Sequence, residues 1–335
     1  MDAQSIRSAS ALAHEAAAGR PHAMPANGRP RRFRVAVGDP QAPLEQFFAV
    51  LAHAGLLKSS GRLRDDVLLV SIGDHFDWGD RTERVKATRD GLAILAWLAL
   101  HPADQVWITA GNHDLARVGE HAAVDDATFQ ALRAEADLAY VDGRVDRALE
   151  QAFLAKAPRY PSVEVASRDL STFSVAQREW VSHLLRARRF RLAHAAAPHL
   201  LLTHAGVTLD ELSQVGLPPA CANDAPELAR ALNLALDTAW TLRREGETFN
   251  IPGLHRAGSA VAREGGGMLY HRVMRSGGVL GDQGGTPPRR RFPPARLPQG
   301  LTQVIGHVRD KKSHELLGLP AGNARDGVLR ALTVT

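Results

Sequence analysis

Three stretches decide the fold: VAVGDPQ at 35–41, LLVSIGDHFDWGD at 68–80 and VWITAGNHD at 106–114. Each begins as a short run rich in Val, Ile or Leu and closes in a turn that carries Asp, Asn, Gln or His. Continuous apolar runs of this length read as strands buried on both faces, the habit of parallel sheets. Two later stretches repeat the pattern, HLLLTHAG at 199–206 and TQVIGHVR at 302–309. Between the first three runs lie segments with apolar residues at helical spacing, LEQFFAVLAHAGLL from Leu44 and RTERVKATRDGLAILAWLALHP from Arg81. Strand, helix, strand, helix, strand with short connections predicts parallel pairing through right-handed crossovers, an α/β fold. Open α/β sheets carry their chemistry just outside the carboxyl ends of the strands. Asp39, Gln41, Asp74, Asn112, His204 and His307 stand at those ends, so all six are expected on one rim.

The chain has 335 residues and is 44% hydrophobic, enough to bury a sizeable core. Aromatic residues make up only 5%, so packing must lean on Leu, Val and Ala. The formal charge of +5 is concentrated around Arg29, Arg31, Arg32 and Arg34 and around Arg289, Arg290, Arg291 and Arg296. Basic surfaces attract anions. No stretch interleaves these charges with aromatics as base stacking requires, so nucleic acid is not expected as a partner. The single cysteine, Cys221, excludes a disulfide within the chain and suits a reducing compartment. The start lacks the shape of a secretory signal, and no run approaches the ~20 apolar residues of a membrane span. The expectation is a cytoplasmic protein without a membrane partner.

Residues 1–30 are rich in Ala, Ser, Pro and Arg and are expected to be a flexible tail, with one domain over 31–335. From about 115 to 191 the strand–helix alternation breaks. Residues 125–141, 146–160 and 174–190 all carry helical patterns, and Ser174 and Gln177 stand at capping-box spacing. This reads as a helical insertion lying over the rim and shaping access to it. Residues 225–245 predict a long helix. Residues 277–300, dense in Gly, Pro and Arg, predict a loop, and the end of the chain predicts two closing antiparallel strands.

The six rim residues mix carboxylate, amide and imidazole donors. That mixture favours Mn, Fe, Zn, Co or Ni over Ca. Two such ions ~3.5–4 Å apart can clamp both ends of an in-line displacement at phosphorus. Asp74, on the second strand, is central enough to bridge them. His113, next to Asn112, offers an imidazole that can protonate a leaving oxygen. Asp77 or Asp114 could hold that ring charged; Asp114 could equally cap a helix. His75 has no role in this scheme and is expected to be exposed. Each residue alone reads as an ordinary turn or structural side chain; the fixed order of five strand ends is what argues for a shared site.

That ordered series, GD, GDHFD, GNHD, THAG and GH over 35–308, resembles the calcineurin-like metallophosphoesterase family. THAG followed by GMLYHR at 267–272 is similar to its branch of Ser/Thr-type protein phosphatases, diadenosine tetraphosphatases and Shewanella-like phosphatases. The resemblance implies a four-layer αββα sandwich with mixed sheets and two divalent metal ions, with Mn favoured. It implies that Asp39 binds the first ion, Asp74 bridges, and Asn112, His204 and His307 bind the second. It also implies that His113 is the acid, oriented by Asp77, and that Arg272 binds phosphate. The implied activity is hydrolysis of a phosphoester by metal-bound hydroxide, foremost a phosphomonoester on a small molecule or phosphoprotein. A diadenosine polyphosphate hydrolase or cyclic-nucleotide phosphodiesterase is the alternative, with Phe129, Tyr140, Phe153 and Tyr160 as the few aromatics that could stack a base. A weakly active pseudo-phosphatase serving as a binding module is the second alternative. Two departures motivate it: Gln41 stands where the family pattern has His, and Trp78 where the branch has Arg. Gln41 can still offer an amide oxygen, and Arg81 is close enough in sequence to stand in for the missing Arg. Arg309 replaces a second His of the wider family, as in the phosphatase branch.

Overall fold

The computed structural model describes residues 3–273, 291, 292 and 294–308. Most of the Gly/Pro/Arg loop, Arg289, Arg290, Arg309 and the expected C-terminal strands lie outside these residues.

The first three apolar runs form β1 (Phe33–Val37), β2 (Val67–Ser71) and β3 (Val106–Thr109). They pair in parallel, Phe33 opposite Val67 and Leu69 opposite Val106. β2 is buried along its whole length, as its unbroken apolar run requires. The crossovers are α2 (Leu44–His53) and α3 (Arg84–Ala99). The stretch GLAILAWLA closing α3 is apolar on all sides and buried throughout.

The flexible tail expected at the start is not found. Residues Ala3–Ala18 form a helix, α1, packed on α2 and α3. Ser5, Ala9, Ala13 and Ala16 fall on one helical face, and all four are buried. Their small side chains let backbones approach closely: a Cβ on Gly61 would lie 2.3 Å from the amide nitrogen of Ala9. Beyond the helix, Asp104 accepts the amides of Asn27 and Gly28 and pairs with Arg31 at 3.4 Å. A polar, Ala-rich composition hid a helix whose partner surface lies elsewhere in the chain.

After β3 come α4 (Asn112–Ala116), α5 (Asp126–Ala139), a hairpin of β4 (Tyr140–Val141) and β5 (Arg144–Val145), and α6 (Arg147–Lys156). A π-helical turn at Val165–Asp169 and α7 (Val175–Arg186) follow. Asp125 and Asp146 cap α5 and α6, and Ser174 with Gln177 forms the capping box of α7. The α5–α6 part holds a small core of its own around Leu132, Phe153, Tyr160 and Val163. α7 does not belong to that cover. Trp180, Val181 and Leu184 are buried in the main core, so α7 is the crossover into β6 (Phe190–Arg191), which pairs parallel to β3. The first sheet thus has the order β1-β2-β3-β6.

β7 (Ala193–Ala197) and β8 (Leu200–Thr203) form an antiparallel pair. Then follow α8 (Leu209–Gln214), α9 (Ala225–Leu242), and the two-residue pairs β9 (His255–Arg256) with β10 (Gly266–Gly267) and β11 (Arg272–Val273) with β12 (Arg291–Phe292). β13 (Thr302–Val304) returns to pair parallel to β8, giving a second, mixed sheet of order β13-β8-β7. Val70 of the first sheet and Leu202 of the second share one apolar cluster with Ala36, Trp107 and Val304. No helix among the described residues is long and apolar enough to cross a membrane.

Candidate metal centre

The turns after β2, β3, β8 and β13 meet at His204. Its Nδ1 lies 2.9 Å from the carbonyl oxygen of Ile72, which can only accept, so Nδ1 carries a proton. In the neutral ring Nε2 is then a bare lone pair. Around it stand Asn112 Oδ1 at 3.1 Å, His307 Nδ1 at 3.2 Å and Asp74 Oδ2 at 3.3 Å. Carboxylate and amide oxygens have no hydrogen to offer. A proton on Nε2 or a bound cation would turn these contacts into attraction. The ligand atoms of Asp74, His204 and His307 lie within 4.8 Å of one another and could hold a metal ion. Asp39 Oδ1 and His307 Nε2 are buried beside them without any hydrogen-bond partner among the described residues. An unsatisfied buried acceptor costs about 1–3 kcal/mol, so the donor set fits a bound cation.

The protein's own charges answer part of the problem. Burial pushes the His204 imidazole down, but the carboxylates of Asp74 and Asp39 carry it up to about 10. Burial lifts Asp39 to about 6, against the pull of His204. Burial also lifts Asp74, yet the imidazoles of His204 and His113 outweigh it and hold the carboxyl well below the usual range. For His307, burial and then the charge of His204 drive the ring well below its ordinary value.

The backbone is strained where these groups converge. Six non-glycine residues among those described have positive φ, and three are Asp74 (53°), Asp77 (64°) and His307 (63°). Left-handed backbone costs roughly 1–2 kcal/mol per residue, least for Asp and Asn. Asp114 helps to hold it. Its buried carboxylate accepts the amides of Asp74 and Gly111 on one oxygen, and the amide and Nδ1 of His75 on the other. His75 is therefore not exposed as expected. It is fully buried, its Nε2 2.9 Å from Ser71 Oγ. Asp114 sits in the first turn of α4 and does not support His113. Gly111 explains the GN step: a Cβ there would lie 2.1 Å from Asp74 Oδ1.

His113 donates its amide to Asp74 Oδ1 at 2.9 Å, and its Nδ1 lies 3.0 Å from Asp77 Oδ2. Its Nε2 is 4.0 Å from Asp74 Oδ2, on the side of the donor cluster. Burial pushes His113 down, but Asp74 and Asp77 raise it to about 9. Burial would lift Asp77, but Arg117 and His113 hold it well below the carboxylate range.

A cleft of about 170 Å³ opens over this arrangement. Asp39, Gln41, Asp74, Asn112, His113 and His307 all line it, with Arg168 and Arg272 on its walls. Gln41 donates its amide nitrogen to the carbonyls of Phe76 at 2.7 Å and Asp77 at 3.3 Å, so it also steadies that turn. Asp39 Oδ2 accepts the amide of His307 at 2.7 Å. Arg272 pairs with Glu264 at 3.1 Å. Arg81 does not take the place left open by Trp78: it donates to Ser167 Oγ at 3.1 Å and pairs with Asp137 at 3.6 Å, against the α5–α6 cover. Arg168 and Glu120, neither singled out from the sequence, reach the cleft instead. Burial raises Glu120 to about 7. A larger groove, about 1090 Å³, runs along α7 and α9 past Arg186 and Trp240, and it is lined by none of the donor residues.

The cofactor expectation thus stands as one cluster able to hold a metal, Asp74, His204 and His307, with Asn112 and Asp39 adjoining. No protein-family model and no curated protein matches this chain.

Proposed function

We propose that the chain is a phosphoester hydrolase that works with two divalent cations, on the four-layer αββα sandwich of the calcineurin-like metallophosphoesterases. One observation carries this reading: Asn112 Oδ1, His307 Nδ1 and Asp74 Oδ2 lie within 3.3 Å of His204 Nε2, and the hydrogen-bonded His113–Asp77 pair stands directly beside that cluster. Asn112, His204 and His307 would hold one ion, Asp39 and Gln41 the other, with Asp74 between them. Oxygen donors outnumber imidazoles in this set, which favours Mn. When bound, the cations supply Lewis acidity at the phosphoryl oxygens and make water more acidic.

The chain's own residues do the rest. Arg272, at the cleft wall, matches the oxygens of a phosphoryl group by charge-assisted hydrogen bonds. His113 gives the proton on Nε2 to the leaving oxygen, and Asp77 fixes the ring for that transfer. The cleft of about 170 Å³ suits a phosphoryl group and a few attached atoms, whereas pockets for larger ligands run to roughly 300–1,000 Å³. Phe129, Phe153 and Tyr160 are buried in the cores of the insertion, and Tyr140 packs half-buried against one of them and does not line the cleft. Both facts favour a phosphomonoester, on a small molecule or a phosphoprotein side chain, over a dinucleoside polyphosphate or cyclic nucleotide. The intact His113–Asp77 pair favours turnover over a pseudo-phosphatase.

Metal analysis joined to a substrate panel tests this. The Mn-loaded chain is expected to hold two ions and to hydrolyse p-nitrophenyl phosphate faster than its bis-ester or diadenosine tetraphosphate. Full metal with no turnover of any ester would leave the binding-module alternative. A chain that binds no divalent metal would sink the proposal.

A further inference from the structure

We propose that Arg117 and Thr172 form a clamp on Asp77 and are positioning residues for the acid His113, so that part of the insertion is built into the chemistry. The inference rests on the hydrolase reading above.

An ionised carboxylate offers about four acceptor sites, and Asp77 uses all of them. Its Oδ1 accepts from the amide of Thr172 at 2.9 Å and from Thr172 Oγ1 at 2.7 Å. Its Oδ2 accepts from Arg117 Nη1 at 2.6 Å and pairs with His113 Nδ1 at 3.0 Å. A carboxylate bound on every side cannot swing, so the imidazole it holds cannot swing either. Because the carboxylate only accepts, His113 must present its hydrogen on Nδ1 and turn Nε2 away from Asp77, towards Asp74.

Arg117 is fully buried. Besides Asp77 it donates to His113 O at 2.9 Å, to Thr172 O at 2.6 Å, to Thr172 Oγ1 at 3.1 Å and to Gln177 Oε1 at 3.3 Å. Its guanidinium carbon lies 4.5 Å from the Phe76 ring centroid. Thr172 Oγ1 therefore accepts from Arg117 and passes its own hydrogen to Asp77. His113 and Arg117 are four residues apart and face the same way, while Thr172 stands between the π-helical turn and α7. A point charge could neutralise Asp77; only a planar fork can reach the carboxylate, the carbonyls and the hydroxyl together. A buried ion pair is also weak evidence for stability as such. Both facts assign the arrangement to orientation.

In the reaction the ester P–O bond breaks with its electron pair on the leaving oxygen, which takes the Nε2 proton of His113. The entering water forms the new P–O bond and releases one proton to solvent, and His113 regains one proton before the next turnover. A leaving group that departs readily as an anion, such as p-nitrophenolate, needs that proton little; an alkoxide needs it fully.

The full-length, Mn-loaded chain is therefore compared with Arg117→Lys and with Thr172→Val, the second nearly isosteric and the safer to fold. For glycerol phosphate, kcat is expected to fall about tenfold or more in both variants, within the range that supporting residues and acid catalysis command. For p-nitrophenyl phosphate it is expected to fall less than about threefold, with metal content unchanged. Equal losses on both esters, or no loss, would overturn the clamp. Proton NMR of the chain loaded with diamagnetic Zn instead of Mn gives an independent readout: the hydrogen-bonded Nδ1–H of His113 is expected as a slowly exchanging low-field signal in the parent chain, weakened in both variants. If the parent chain turns over neither ester, the hydrolase reading fails by itself. The clamp is then overturned by an Nδ1–H signal that both variants leave unchanged.

Discussion

Asp39 and Asp77 are both carboxylates at strand-end turns of the same rim, and the protein treats them in opposite ways. Asp77 is saturated by donors, one guanidinium, one hydroxyl, one amide and one imidazole. Asp39 has one oxygen on the amide of His307 and the other buried without a hydrogen bond among the described residues, 3.7 Å from His204 Nδ1. The same contrast separates their surroundings: beside Asp77 hydrogen bonds close on themselves, while three polar groups crowd His204 Nε2 within 3.3 Å. One half of the site is finished by protein atoms; the other half is a cluster that could hold a metal ion. Burial makes both states consequential, since a low-dielectric interior strengthens a satisfied network and penalises an unsatisfied one.

The harshest break in that comparison is His204→Ala, which removes the centre of the donor cluster. Activity is expected to fall more than ~100-fold, beyond the usual cost of losing an outer-shell partner, and metal content measured by elemental analysis is expected to fall with it. Full occupancy in that variant would contradict the cluster. His113→Ala spares the donors and removes the acid. It should retain metal and lose ~10²–10⁴-fold in rate; unchanged kcat on an alkyl phosphate would refute the acid role.

Next in size is Arg117→Ala, which leaves the Asp77 carboxylate buried without its cation. Breaking such a pair typically costs about 3–5 kcal/mol, read as a lower denaturation midpoint in urea at constant slope. A midpoint equal to that of the parent chain would show that Asp77 is held by other means.

Smaller and broader is the response to acid. His101, His121, His194 and His255 are lowered by burial to about 4, about 3, about 3 and about 4. Unfolded, each titrates near its model value of 6.5. Below that pH the unfolded chain binds more protons than the folded one, so stability falls as acid is added. Glu120 has the opposite sign. Raised from 4.5 to about 7, it keeps its proton in the fold across that window, so its contribution falls as pH rises. Asp39, His113 and His204, also raised, share the sign of Glu120, while His307 joins the lowered imidazoles; the five lowered rings set the balance, and urea midpoints are expected to drop between about pH 7 and pH 5. A flat profile would mean that these imidazoles are not buried neutral.

The smallest effect belongs to Arg81→Ala. The side chain lies against the α5–α6 cover, so its loss should leave KM for p-nitrophenyl phosphate within about twofold and stability within about 0.5–1 kcal/mol. A large rise in KM would restore it to the phosphate site.

Much of the rim was legible because each donor follows an apolar run by a fixed short step. Asp74, Asn112 and His204 follow β2, β3 and β8 within a few residues, and parallel strands align their carboxyl ends. His113 and Asp77 were legible as neighbours of those donors. Arg117, Thr172 and Arg168 were not: nothing in LARVGE, LSTF or SRDL distinguishes a buried guanidinium or a cleft wall from a solvated helix face. α1 was missed for a related reason, since its alanine stripe makes sense only against α3 and Gly61. His75 was misplaced because its two partners, Asp114 and Ser71, sit on different strand ends.

The sequence alone determined the strand–helix alternation and the set of donors at the strand ends, because apolar period and turn residues are local properties. Only the tertiary structure decided which carboxylate is satisfied and which keeps an oxygen without a hydrogen bond among the described residues. Hydrogen-bond partners such as Thr172 for Asp77 lie 95 positions apart, and no local pattern records them.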